Sequence, residues 1–127
     1  MKAQEAVEFL RELLSSYSPS GREVPLARYL AEEMAQLGFD VHIDEVGNVI
    51  GELQGANCNS QSAIHNSQFV FLGHIDTVPG FIPVRIEGGR LYGRGTVDAK
   101  GRLAAFILAA ARAVPSLEGM RIVVVRA

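Results

Sequence analysis

The sequence predicts an α/β domain with a mixed, largely parallel sheet flanked by helices. Two amphipathic helical stretches open the chain, and two short apolar runs, Phe69 to Leu72 and Ile122 to Val125, have the character of strands covered on both faces. Parallel strands buried on both faces need helical crossovers, and a strongly helical stretch lies between these two runs.

Val7, Leu10, Leu13, Leu14 and Tyr17 recur at three- and four-residue spacing, which places them on one face of a first helix. That helix is expected to end before Ser18-Pro19, because proline disfavours helical geometry in the residue before it. Leu26, Leu30, Met34 and Leu37 mark a second helix, closed by Gly38 as a left-handed cap. Phe39, Val41 and Ile43 then alternate with polar residues as a half-exposed strand, and Gly47-Asn48 turns the chain into a second strand from Val49 to Leu53. Residues 54–68 are rich in Asn, Ser and Gln and read as a mobile surface loop. After the run ending at Leu72, a hairpin through Gly88-Gly89 joins Val84 and Ile86 to Leu91-Tyr92. A helix is predicted from about Lys100 to Ala113, closed by Pro115, followed by a last strand over 121–126.

The chain has 127 residues, enough for one domain with its own core. Apolar residues make up 48% and charged residues 20%, which excludes the profile of a disordered chain. Twelve basic against fourteen acidic residues leave a formal charge of -2, so no global field favours nucleic acid or an anionic membrane. One cysteine, Cys58, permits no internal disulfide and no CxxC zinc pair, as suits a reducing cytoplasm. Charges interrupt the apolar residues of MKAQEAVEFLRELL, so no signal peptide or membrane span is expected in that stretch.

Two segments carry candidate chemistry. His74 and Asp76 directly follow an apolar strand, at the end where α/β sheets place ligands, and a step of two lets both side chains approach one point. A ligating imidazole donates its second N–H to a carboxylate or carbonyl, a role open to Asp76; ordinary loop hydrogen bonding is the competing account. Asp98 lies in LYGRGTVDAKG, just before a helix start, and reads equally well as a helix cap or as a chemical group. The glycines there match neither a GxxxxGK phosphate loop nor the full GxGxxG of a dinucleotide site. His42 on a strand, His65 and Cys58 in the polar loop and Lys100 at the helix start receive no role, the last because most such lysines are exposed.

Taken as a pair, GHIDTVPG and LYGRGTVDAKG resemble the zinc-dependent family of aminoacylase, acetylornithine deacetylase and succinyl-diaminopimelate desuccinylase. The resemblance extends over nearly the whole chain, through the opening helices, the DEVGNVIG hairpin and the strand before His74. It implies that His74 binds one metal, that Asp76 steadies it as the catalytic aspartate, and that Asp98 bridges two metals, with the Asp98–Ala99 peptide cis. It implies two zinc ions in the complete enzyme, or cobalt, and an amide opened by metal-activated water. HIDTVPGFIPV is most similar to the lysine-biosynthesis branch, whose substrates are an N-acyl amino acid or an acidic amino-group carrier protein, with lysine or ornithine released.

The family's general-base glutamate and remaining ligands follow the next strand, so residues 1–127 are expected to be the N-terminal part of a metallohydrolase catalytic domain, without its later catalytic part or its dimerisation domain. His74 and Asp98 alone are expected to hold zinc weakly and to support no turnover. Self-association is also expected, because apolar residues such as Val123 and Val125, and an unpaired strand edge, lack the cover of later elements. The alternative reading is a non-catalytic α/β binding or scaffold module that keeps the fold.

Overall fold

The computed structural model describes residues 3–55, 67–113 and 120–126. His65, Cys58 and most of the expected polar loop lie outside the described residues.

Helix α1 spans Ala3–Ser15 and buries Phe9, Leu13 and Leu14. Leu13 and Leu14 are buried as expected and Phe9 joins them, while Val7 and Tyr17, expected on the same face, are 45% and 38% exposed. Helix α2, Val24–Gln36, begins with Pro25 in its first turn and buries Leu26, Ala27, Leu30 and Met34. Its end is a Schellman motif: Gly38 N–H donates to Ala35 O and Phe39 N–H to Met34 O, both at 3.1 Å. Gly38 takes φ +101°, a conformation that costs any residue with a Cβ, so the glycine sets where the helix stops and the sheet begins.

Strands β1 (Asp40–Ile43) and β2 (Val49–Gln54) form an antiparallel hairpin. Its turn is organised by Asp44, whose Oδ1 accepts from the amides of Val46 and Asn48 while Oδ2 accepts from Asn48 Nδ2. Those bonds, the Asn48 side chain foremost, hold the Asp44 carboxyl below its ordinary range. Strand β3 is Ser67–Gly73, and a two-stranded hairpin follows with β4 at Arg85–Glu87 and β5 at Arg90–Tyr92. Helix α3 runs Lys100–Ala113, and β6 is Met120–Arg126.

The main sheet has the order β1-β2-β6-β3. It is mixed, and among the described residues the parallel pairing is confined to β3 and β6, with Val70 opposite Val123 and Leu72 opposite Val125. β6 pairs with β2 on one side and β3 on the other; the later strand inserts between two earlier ones because an α3 crossover carries it back into the sheet. One expectation is corrected by this order. β3, expected to be covered on both faces, is instead an outer strand: Phe69, Val70 and Leu72 are 50%, 59% and 65% exposed.

The helices cover one face of the sheet. Val49 and Leu53 of β2 join Phe9, Leu13, Leu26, Leu30, Met34, Leu103 and Ile107 in a single core, while Phe71 packs on it beside Phe106 with ring centroids 5.3 Å apart. The apolar run in β3 reads as doubly buried because its hydrophobicity is unbroken, yet only the Phe71 side meets helix α3. No helix among the described residues is long and apolar enough to cross a membrane.

Candidate metal centre

β3 delivers the chain into the site at its carboxyl end. Gly73 closes the strand, Ile75 points into the core with no exposure, and His74 and Asp76 on either side of it therefore turn toward the cleft. The cleft has a volume of about 460 Å³ and is walled by His74, Asp76 and Thr77 on one side and by the segment from Gly93 to Asp98 on the other.

That second wall is a compact turn pinned to the start of α3. Gly95 takes φ +91°, and a Cβ on Gly101 would meet Thr96 O at 2.2 Å, so the turn folds onto the helix only with glycine there. Lys100 N–H donates to Gly95 O, and Thr96 Oγ1 donates to Gly93 O. Asp98 emerges from this turn with its side chain 81% exposed, and the Asp98–Ala99 peptide is cis.

The expectation that Lys100 is a solvent-exposed lysine is wrong. Its side chain is 1% exposed, and Nζ donates to Leu13 O at 2.9 Å and Ser16 O at 3.0 Å. These are carbonyls at the end of α1, where a helix has acceptors to spare and a negative dipole end, so a buried cation finds partners there. Loss of water lowers the Lys100 pKa from 10.5 to about 8. Lys100 thereby ties the Asp98 turn to α1.

The three residues singled out from the sequence converge. His74 Nδ1 lies 3.1 Å from Asp76 Oδ1 and 3.2 Å from Asp76 O, while His74 Nε2 lies 3.2 Å from Asp98 Oδ1. Acceptor oxygens face both ring nitrogens, those of Asp76 at Nδ1 and that of Asp98 at Nε2, so a proton or a cation has to stand at each contact. An unprotonated Nε2 and a carboxylate oxygen repel unless a proton or a metal cation stands between them. Two ligands at roughly 2.0–2.1 Å from a tetrahedral ion are themselves about 3.3 Å apart, so the His74–Asp98 separation fits a shared ion. Asp76 sits on the far side of the ring and orients it; among the described residues no group of three or more His, Cys, Asp or Glu is placed to hold a metal. His42 is exposed on β1, as expected.

Sequence reasoning missed two further residues. Ser20, in the connection between α1 and α2, donates from Oγ to Asp76 Oδ2 at 2.8 Å. Thr77, beside it in the cleft wall, is 6% exposed and its hydroxyl has no hydrogen-bond partner among the described residues. Both depend on the connection crossing the β3 loop 56 residues away, which no local pattern announces.

Residues 70–125 match the model of peptidase family M20/M25/M40, and the chain belongs to that family. It is 46% identical over 114 residues to the LysW-lysine hydrolase of Deinococcus radiodurans, an alignment covering 89% of this chain and 29% of that protein. The chain thus spans less than a third of that relative's length. Among solved structures it resembles aminopeptidase PepT from Bacillus cereus, with a TM-score of 0.75, 21% identity, and coverage of 99% of this chain and 36% of the other. The YXEP protein of Bacillus subtilis, described as a dinuclear metal binding peptidase of the M20 family, superposes with a TM-score of 0.67 at 12% identity over 97% of this chain and 34% of its own. At those identities the structural likeness speaks to the fold alone, which the chain shares with about a third of each of those proteins.

Proposed function

We propose that this chain supplies part of the active site of a metal-dependent amidohydrolase that frees lysine or ornithine from an N-acyl group or from an acidic carrier protein. The observation that carries it is the His74 Nε2 to Asp98 Oδ1 approach at 3.2 Å, with Nδ1 held by Asp76. Support for the substrate class comes from the 46% identity to a LysW-lysine hydrolase.

His74 and Asp98 would hold the metal, zinc or else cobalt, and a bound pair of such ions supplies Lewis acidity toward an amide carbonyl and activates water. Asp76 keeps the imidazole oriented and its ring proton on Nδ1, which makes Nε2 the better donor. Asp98, exposed to the cleft, has a second carboxylate oxygen for a second ion. The remaining ligands and the general base would come from polypeptide outside these 127 residues, which form the N-terminal part of the catalytic domain in this reading. The lone cysteine and the balanced charge suit a cytoplasmic enzyme that binds neither nucleic acid nor membrane.

The test is release of lysine from N-acetyl-lysine and from LysW-linked lysine by zinc-loaded polypeptide that carries these 127 residues together with the rest of the catalytic domain. Release that disappears in Asp76→Asn and His74→Ala is the expected result. Release that survives both substitutions, or no release from either substrate, contradicts the reading. A second reading, a binding module without catalysis, draws on the finding that no group of three or more His, Cys, Asp or Glu among the described residues is placed to hold a metal; metal-independent binding of the carrier protein by the same polypeptide would favour it.

A further inference from the structure

Asp76 is held at both of its carboxylate oxygens. Oδ1 faces His74 Nδ1 at 3.1 Å and Oδ2 accepts from Ser20 Oγ at 2.8 Å. A carboxylate fixed at one oxygen alone can rotate about its final bond, and the second oxygen or the whole group can then leave the ring nitrogen. Fixing Oδ2 removes that freedom and leaves Oδ1 aimed at Nδ1.

Ser20 is itself placed by the backbone that carries Asp76. The connection between α1 and α2 runs alongside the site loop, with Pro19 and Thr77 forming a parallel bridge. Thr77 N–H donates to Ser18 O at 2.9 Å, Ser20 N–H donates to Thr77 O at 3.3 Å, and the buried Ser18 Oγ donates to Ile75 O at 2.7 Å. The strap then turns away immediately: Arg22 N–H donates to Pro19 O, and Gly21 takes φ +90°. Ser20 is thus the last strap residue beside the loop, and its hydroxyl reaches Asp76.

We infer that Ser20 is a positioning residue for the metal-facing histidine: it fixes Asp76 Oδ2, which keeps Oδ1 aimed at a proton on His74 Nδ1 and turns Nε2 toward Asp98 and the cleft. This rests on the proposed metal-centre reading for its purpose, while the tautomer it sets exists without any metal. A hydroxyl that merely tethered the strap would alter stability and leave the imidazole tautomer unchanged.

The experiment uses the whole chain, with the imidazole nitrogens of His74 read by long-range proton–nitrogen NMR in the metal-free protein and during titration with zinc chloride. In wild type, His74 Nδ1 is expected to carry a proton. In Ser20→Ala the Nε2–H form should become populated and the zinc concentration for half-saturation should rise about 10-fold, within the 10- to 100-fold range for loss of such supporting partners. Ser20→Thr, which keeps a hydroxyl, should restore both to near wild type. An unchanged tautomer in Ser20→Ala overturns the inference whatever zinc does, as does a shifted tautomer that Ser20→Thr fails to restore. His74→Ala separates the two claims. If it leaves zinc binding intact, the metal-centre reading falls, and the tautomers of the Ser20 variants still decide the positioning role.

Discussion

His74 and Asp98 meet across the cleft with Nε2 and Oδ1 3.2 Å apart, although 24 residues and a β-hairpin separate them in the chain. A proton on Nε2 joins them without a metal, and a shared cation can take that proton's place; in the proposed metal centre their effects on metal binding are therefore expected to be coupled. His74→Ala and Asp98→Ala should each remove most zinc binding, and the double variant should lose little more than either. Strict additivity in a zinc-titration cycle would show two independent sites; a coupling of roughly 0.5–3 kcal/mol is typical of groups that share a partner.

Zinc held by only these two side chains should be weak, because protein zinc sites take three or four protein ligands as a rule. Calorimetric titration of the 127 residues should show labile binding, and no hydrolysis of N-acetyl-lysine should accompany it. Tight one-to-one binding, or turnover that survives purification from trace longer enzyme, runs against the account.

Burial of Lys100 makes the fold sensitive to alkali in an unusual direction. Its folded pKa is lowered to about 8 against 10.5 in the free side chain, so between those values the unfolded chain holds a proton that the folded chain has released. Stability from this group rises with pH across that window, and the cost of burying the charge is present in full below it. Urea denaturation of wild type and Lys100→Met at several pH values between 7 and 10.5 should show wild type gaining on the variant as pH climbs. A constant difference would mean that Lys100 stays charged in the fold.

The unpartnered Thr77 hydroxyl is a cost built into the cleft wall. Replacing it by the near-isosteric Val removes a buried polar group that has no bond to lose, so Thr77→Val should stabilise the protein by about 1–3 kcal/mol. Thermal or chemical denaturation that shows a loss instead would place an unseen partner on that oxygen.

Association is expected through β3, with Val70 at 59% and Leu72 at 65% exposure on the sheet face away from Phe71. Strand edges of this kind pair readily with a second copy. Light scattering should show a mass that climbs with concentration and returns to the monomer in Val70→Lys. A wild-type monomer at every concentration contradicts this.

Much of the fold was legible because its signals are local. The Schellman end at Gly38, the Gly88-Gly89 hairpin and the helix at Lys100 each depend on residues a few positions apart. His74 and Asp98 were legible as a pair because each follows a recognisable segment. The order of strands was not, since the run Ile122 to Val125 carries no mark that it inserts between β2 and β3. Nor was the burial of Lys100: its acceptors are 84 and 87 residues away, and a lysine before an amphipathic helix looks solvated until α1 arrives to receive it. Ser20 was hidden for the same reason. What supports the site comes from the far end of the chain, while the groups that face the cleft lie in two short segments.

The central claim is that His74 and Asp98 share one metal ion, and anomalous scattering from a crystal of the zinc-loaded protein tests it most directly. The account predicts a peak within about 2.0–2.2 Å of both His74 Nε2 and an Asp98 carboxylate oxygen. A peak on His74 Nδ1, or one bound by neither residue while these two remain in direct contact, would contradict it.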